Sequence, residues 1–288
     1  MRAQELLLDD NQIGDQGCIA LAEACAAGGL LQLKVLDLYQ NQIGNTGLSA
    51  LAQVCGQDGA LPKLTELIIG CNQIGDAGVC ALADACAHGA LPQLQVTRIV
   101  ACMLPMVTHG AILTTSPSVD PRAQLLFVFK NVVGDVGLIA LSEACARGGL
   151  AKLTDLRLFN NKIGDAGVSA LGDACAKGTA FSQLEKLSLN GNNVGDAGVA
   201  ALADACTKGA LTALRELWLR DNHIGDDGVV ALAAACTKGA LAGLKLLRLD
   251  FNQIGDVGIS AIATARAQGA LPKIEVLPLV GNPGRSKV

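Results

Sequence analysis

The 288-residue chain carries eleven cysteines but only three histidines. Seven of the thiols recur at a near-constant interval, at Cys25, Cys55, Cys86, Cys145, Cys175, Cys206 and Cys236. A regular thiol ladder suggests disulfide, zinc or redox chemistry. Zinc at such sites is held by cysteine together with histidine or further cysteines in a tight tetrahedron, and no histidine accompanies these seven. Equivalent positions on neighbouring packed helices lie about 8–10 Å apart, beyond the roughly 7 Å that a disulfide can span. The ladder therefore reads as small thiols packed between helices. Cys71 and Cys102 stand apart from it, at places in adjacent repeats that let them approach one another.

Two polar ladders accompany the thiols. Asparagine recurs at Asn11, Asn41, Asn72, Asn131, Asn161, Asn192, Asn222, Asn252 and Asn282, at intervals of 30 or 31 apart from one gap of 59. That gap equals two periods, with Cys102 in the vacant slot. A buried amide donates to and accepts from backbone groups, so the ladder reads as structural rather than as a binding site. Aspartates such as Asp165, Asp196 and Asp226 fall once per repeat in a Gly-Asp-x-Gly turn. They are placed to cap the helix that follows and to complement its dipole, not to collect calcium. The turns also lack the G-x-x-x-x-G-K-[ST] pattern of a phosphate loop. No catalytic constellation and no cofactor or metal site stands out.

The repeat dictates the elements that hold these residues. Each unit opens with L-x-x-L-x-L-x-x-N, as in Leu33, Leu36, Leu38 and Asn41, or Leu214, Leu217, Leu219 and Asn222. Alternating Leu-x-Leu predicts a short strand with one buried face. After the turn, apolar residues at helical spacing follow, for example Val79, Leu82, Ala83 and Cys86. Gly89, Gly178, Gly209, Gly239 and Gly269 are placed to end the helices. Strands stack about 4.8 Å apart and helices about 8–10 Å apart, so a stack obeying both spacings curves, with its strands inside. The expected fold is α/β: one solenoid over residues 1–288, a right-handed horseshoe with a parallel concave sheet and convex helices.

The motif strongly resembles leucine-rich repeats of the ribonuclease-inhibitor-like class over the whole chain except roughly residues 103–124. That resemblance implies an intracellular protein-binding solenoid. Composition points the same way: 51% hydrophobic, 17% charged and a net charge of −4. This is neither a disordered chain nor a basic nucleic-acid binder. Acidic residues begin at Glu5 with no signal-peptide core after it. The longest uncharged run, Ile99 to Val119, is broken by prolines and polar residues, so no membrane span is expected. An odd number of cysteines without a leader favours a reducing compartment, cytoplasmic or nuclear.

Function is expected where the repeat leaves side chains undetermined, at the third, fifth and seventh motif positions on the concave side. The chain has seven aromatic residues. Five of them, Tyr39, Phe127, Phe129, Phe159 and Trp218, fall at fifth or seventh positions, and Phe251 at an eighth. Asp37, Glu66, Arg98, Asp155, Arg157, Lys186, Glu216, Arg220, Arg248 and Asp250 share the face. Aromatic anchors with flanking charges suit a protein partner, although strands favour aromatic residues on their own account. The expected partner-binding residues are Tyr39, Arg98, Phe127, Phe129, Arg157, Phe159, Trp218, Arg220, Arg248 and Asp250. On the convex side, Glu143 and Arg147, Asp173 and Lys177, and Asp204 and Lys208 are spaced as solvated helix-surface pairs.

The repeat breaks at residues 103–124. A degenerate repeat, a loop projecting toward a partner and a mistranslated stretch all fit that segment. No polar capping unit is visible at either end, so the chain reads as a fragment or as one whose ends are covered. The resulting expectation is a non-enzymatic interaction scaffold without cofactor, binding a protein and neither nucleic acid nor membrane. Two alternatives follow from resemblance: a GTPase-activating regulator similar to Ran GTPase-activating proteins, and the ligand-sensing part of a NOD-like receptor.

Overall fold

The computed structural model describes residues 4–58, 60–91, 124–150, 153–178 and 180–284. Strands and helices alternate along them. The order is β1 (Glu5–Leu7), α1 (Asp15–Ala26), β2 (Val35–Asp37), α2 (Asn45–Asp58), β3 (Glu66–Ile68), α3 (Asp76–Ala87), β4 (Gln124–Phe127) and α4 (Asp135–Ala146). It continues with β5 (Leu153–Arg157), α5 (Asp165–Ala176), β6 (Lys186–Ser188), α6 (Asp196–Thr207), β7 (Glu216–Trp218), α7 (Asp226–Thr237), β8 (Leu246–Arg248) and α8 (Asp256–Ala267). The strands form one parallel eight-stranded sheet in sequence order. This is the α/β solenoid that the repeat dictates.

The core lies between sheet and helices. The motif leucines, among them Leu36, Leu38, Leu187, Leu189, Leu217 and Leu219, are completely buried, as are the helix residues Val199 and Leu232. The seven ladder cysteines are buried free thiols, as their spacing implies. Burial pushes the thiols of Cys25 and Cys236 up to about 11 and those of Cys55, Cys86, Cys175 and Cys206 up to about 12. They stay protonated and behave as apolar filler.

The asparagine ladder is structural. Asn192 donates to the carbonyls of Leu189 and Asn190 in its own turn and to Leu158 in the preceding repeat, and it accepts from the Ile163 amide. One side chain thus ties two repeats together. The residue before each asparagine makes the corner in left-handed backbone, as at Gln40, Cys71, Lys130 and Asn160, with φ of 50–55°. The helices end as expected, with Gly89, Gly209, Gly239 and Gly269 at φ of 84–92°, where a Cβ would be strained.

The repeated aspartate works differently from the sequence expectation. Each α-helix with a described N-cap has a glycine there, with no side-chain bond to the cap, and the aspartate is the first helical residue. Its carboxylate reaches sideways instead. Asp165 Oδ1 accepts from the Gly195 and Gly198 amides at 2.6 and 2.9 Å, at the start of the following helix. The cap is therefore made between repeats, and it holds the stack together. Glycine suits the receiving position, because a Cβ on Gly198 would lie 2.7 Å from the same carboxylate oxygen.

The 59-residue gap also resolves differently. The rung after Asn72 is Asn131, not a slot at Cys102: the Ile74 amide donates to Asn131 Oδ1 at 2.9 Å. Ile68 of β3 pairs with Phe127 of β4, and Asp76 accepts from Gly134 and Gly137 as every other inter-repeat cap does. Strand spacing admits no further rung between two directly bonded strands. Cys102 and residues 103–123 lie outside the described residues. Among those described, no helix is long and apolar enough to cross a membrane.

Candidate binding face

The fifth and seventh motif positions of successive strands form two columns across the sheet, and the two halves of those columns differ. In the N-terminal half the aromatic residues pack on one another. Phe129 stacks on Phe159 with centroids 4.3 Å apart and lies 6.0 Å from the Tyr39 ring. Ile68 and Cys71 complete the cluster, and the Cys71 thiol donates to the Tyr39 hydroxyl at 3.3 Å. Phe129 fits because the intervening seventh position is Gly70, where a Cβ would sit 2.9 Å from its ring. Tyr39 and Phe129 are only 8% and 7% exposed. Both were expected as exposed anchors, but they form a small second core across the β3–β4 joint. Phe159 remains half-buried at its edge.

In the C-terminal half the face is a lattice of ion pairs. Arg157 holds the buried Asp155 through both carboxylate oxygens. Burial raises the Asp155 carboxyl above the ordinary carboxylate range, and the Arg157 guanidinium opposes that shift. Lys186 pairs with Glu216 at 3.0 Å, and Glu216 also accepts from the Trp218 indole at 3.2 Å. Asp250, 1% exposed, takes Arg220 from one side and Arg248 from its own strand. Arg248 also lies over the Trp218 ring at 5.7 Å and Arg220 over Phe251 at 4.6 Å, both within cation–π range. Trp218, Arg157, Arg220 and Arg248 are half-buried with part of each side chain facing solvent.

Between Phe159 and Trp218 the lattice leaves a cleft of about 140 Å³, lined also by Asp155, Arg157, Lys186, Leu187, Ser188, Asn190 and Glu216. Of the residues expected at the site, Arg157, Phe159 and Trp218 line this cleft, and Arg220, Arg248 and Asp250 form the part of the lattice on the other side of Trp218. Phe127 contributes its backbone to β4, and its side chain lies outside the described residues, as does Arg98 altogether. Ser188 and Asn190 were not anticipated. Their signal was present as a small and a neutral polar residue in columns that, apart from Gly70, carry large or charged ones. Among the described residues, no group of three or more histidine, cysteine or acidic side chains is placed to hold a metal ion.

Seven segments of the chain, residues 4–22, 32–52, 60–83, 149–172, 183–203, 210–233 and 244–263, match the Leucine Rich repeat family model, together just over half its length. The chain belongs to the leucine-rich-repeat family. No curated protein matches this leucine-rich-repeat chain. Among solved structures it is similar to the ectodomain of the Arabidopsis receptor kinase HAESA in complex with an N-terminally extended IDA peptide hormone, with 18% identity and a TM-score of 0.48. That match covers 100% of this chain and 39% of the HAESA chain, so the chain spans about two-fifths of that relative. It is also similar to a plant ice-binding protein, with 15% identity over 98% of this chain and 74% of the other and a TM-score of 0.46. An internalin from Listeria monocytogenes matches at 18% identity over 96% and 87%, with a TM-score of 0.30. Leucine-rich-repeat domains typically mediate protein–protein interaction, and the family is generally non-enzymatic.

Proposed function

We propose that this leucine-rich-repeat protein is a non-enzymatic scaffold of the ribonuclease-inhibitor-like class. It binds a protein partner on the C-terminal half of its concave face, over β5 to β8. The observation that carries this reading is the run of half-buried, cross-braced side chains, Arg157, Lys186, Trp218, Arg220 and Arg248. They occupy positions that the repeat leaves open and are held in place by the buried carboxylates of Asp155 and Asp250 and the half-buried one of Glu216. Such side chains lose little freedom on binding, which lowers the cost of association. Tryptophan and arginine are the residue types that dominate interface energetics. Opposite charges alternate across the face, which favours a partner selected by register over a uniformly charged polymer. Residue 288 need not be the end of the natural chain. A cytoplasmic or nuclear location belongs to the same reading and rests on the odd number of cysteines in the sequence.

The test is a paired capture from native cytosol. One bait is the wild-type chain, the other carries Trp218→Ala and Arg248→Ala after its thermal unfolding has been shown to remain cooperative. The captured protein is then purified and its affinity measured for each bait. A partner bound at least about tenfold more weakly by the double variant supports the reading, since loss of an interface hot spot costs about 2 kcal/mol or more. Equal affinities would overturn it. Stimulation of GTP hydrolysis when the captured partner is a GTPase would replace the scaffold reading with the regulatory one.

A further inference from the structure

One peptide unit on the concave face joins two residues that react with one another along a chain. Asn190–Gly191 is the only asparagine–glycine step in the sequence. The amide carbon of an asparagine side chain lies within reach of the next residue's backbone nitrogen through a five-membered ring, and glycine puts no side chain in the way. Gly191 suits its place for a packing reason: Asn160 Oδ1 fills the space that a Cβ on Gly191 would take. Both Asn190 and Gly191 are half-buried, and Asn190 lines the cleft between Phe159 and Trp218.

The fold closes the route to that reaction. The peptide between residues 190 and 191 is bonded on both sides. Its carbonyl accepts from the Asn160 amide at 2.7 Å, and its N–H donates to the Arg220 carbonyl at 2.9 Å. The Asn190 side chain is held as well, its Oδ1 accepting from the Arg220 amide at 2.8 Å. For the Gly191 nitrogen to reach Asn190 Cγ the peptide plane must turn, and turning it breaks both backbone bonds. The unit is inert while this corner is closed and reactive when it opens. Openings of this local kind need less free energy than global unfolding.

We infer that Asn190 is a modification site, deamidated when the corner held between Asn160 and Arg220 opens. The Gly191 nitrogen gives its proton to solvent and bonds to Asn190 Cγ, and the side-chain amide leaves as ammonia. Water then opens the cyclic imide at one of its two carbonyls. One opening gives aspartate, the other isoaspartate, with the chain rerouted through the side chain. In sum one water enters and one ammonia leaves, with nothing oxidised or reduced. Aspartate keeps the oxygen that the Arg220 amide uses, whereas isoaspartate lengthens the backbone at a corner bonded on both sides. Either product adds a negative charge to the cleft wall. The bases nearby are already paired, Arg157 with Asp155, Lys186 with Glu216 and Arg220 with Asp250. A partner seated there has to strip water from a carboxylate that has no cation of its own. That consequence rests on the concave face being the partner surface, whereas the conversion needs no partner.

The test follows residue 190 by peptide mass spectrometry while the full chain is incubated at mildly alkaline pH, folded and in guanidinium chloride. The mass gain of amide-to-acid exchange is expected at Asn190 in the unfolded chain. In the folded chain it should be at least about tenfold slower, because two backbone hydrogen bonds must open first. Asn190→Gln, which would have to close a larger ring, should suppress the gain at this position in both states. No gain at residue 190 in the unfolded chain, or equal rates in the two states, would overturn the gated site. Asn190→Asp supplies the product without isoaspartate. It should melt like the wild type and bind the captured protein at least about fivefold more weakly, through the unpaired carboxylate. Equal affinity would overturn the effect on binding. The readings fail separately. If capture depends on Trp218 and Arg248 but not on Asn190→Asp, the binding consequence alone is lost. If the conversion is gated but the captured protein ignores the Trp218 and Arg248 variant, the scaffold reading is lost and the modification site stands.

Discussion

The two halves of the concave face use the same two columns of the same repeat to opposite ends. Around β2 to β5, Tyr39, Phe129 and Phe159 turn toward one another, bury most of their surface and close over Gly70. Around β5 to β8, Trp218 and the arginines are separated by carboxylates and stay partly open to solvent. The difference teaches that an aromatic residue at a variable position is not by itself a binding anchor. What surrounds it decides. The N-terminal cluster straddles the β3–β4 joint, where the sequence skips from Asn72 to Asn131, and it braces that joint. The C-terminal lattice crosses a regular stretch without such a joint, and its side chains stay half-buried.

This comparison can be broken or sharpened in several ways. The largest effect is global and should strike both halves alike. The ladder thiols ionise near 9.0 when unfolded, but burial raises them to about 11 or 12 in the fold. Above pH 9 the unfolded chain therefore holds fewer protons than the folded one, and stability falls as pH rises through the folded values. Denaturation followed from pH 8 to 12 should show this loss within that window. A flat profile would mean that the thiols are not sealed in the core. Next, Phe129→Ala should lower stability by about 3–5 kcal/mol in chemical denaturation, the usual cost of emptying a buried aromatic site. Gly70→Val should be destabilising as well, by evicting that ring.

The inter-repeat caps come third. Asp76→Ala crosses the joint and Asp165→Ala crosses a regular boundary, yet both remove the same two amide bonds. Each should cost about 1–2 kcal/mol. A markedly larger value for Asp76→Ala would show that the joint depends on its cap more than on its aromatic brace. The smallest effect belongs to Lys186→Met. The Lys186–Glu216 pair is partly solvated, with side chains 38% and 26% exposed, so its loss should change stability by less than about 1 kcal/mol.

Much of this was legible in the sequence. Leu-x-Leu alternation, the asparagine ladder and the post-helix glycines each have one physical solution, and the fold follows from them. Other features were not, for identifiable reasons. The aspartate's sideways reach was hidden because a helix-start aspartate looks the same whether it caps its own helix or the next. The direct pairing of β3 with β4 was hidden because a spacing of 59 residues equals two periods, so counting alone does not show which asparagine forms the rung after Asn72. The mutual burial of Tyr39 and Phe129 depends on Gly70 between them, in a repeat whose role was assigned by its neighbours' large residues. Ser188 escaped notice for the same reason. A small residue in a column of large ones declares itself only when its neighbours are placed.

The most direct test of the division between the halves measures stability and partner affinity together for Phe129→Ala and Trp218→Ala. The partner is the captured protein, and the temperature is one at which both variants remain folded. The expected result is a crossed pattern. Phe129→Ala loses about 3–5 kcal/mol of stability and keeps its affinity within about twofold, whereas the half-buried Trp218→Ala changes stability less and binds at least about tenfold more weakly. A Phe129→Ala protein of undiminished stability that no longer binds, or a Trp218→Ala protein that binds like the wild type, would contradict the account.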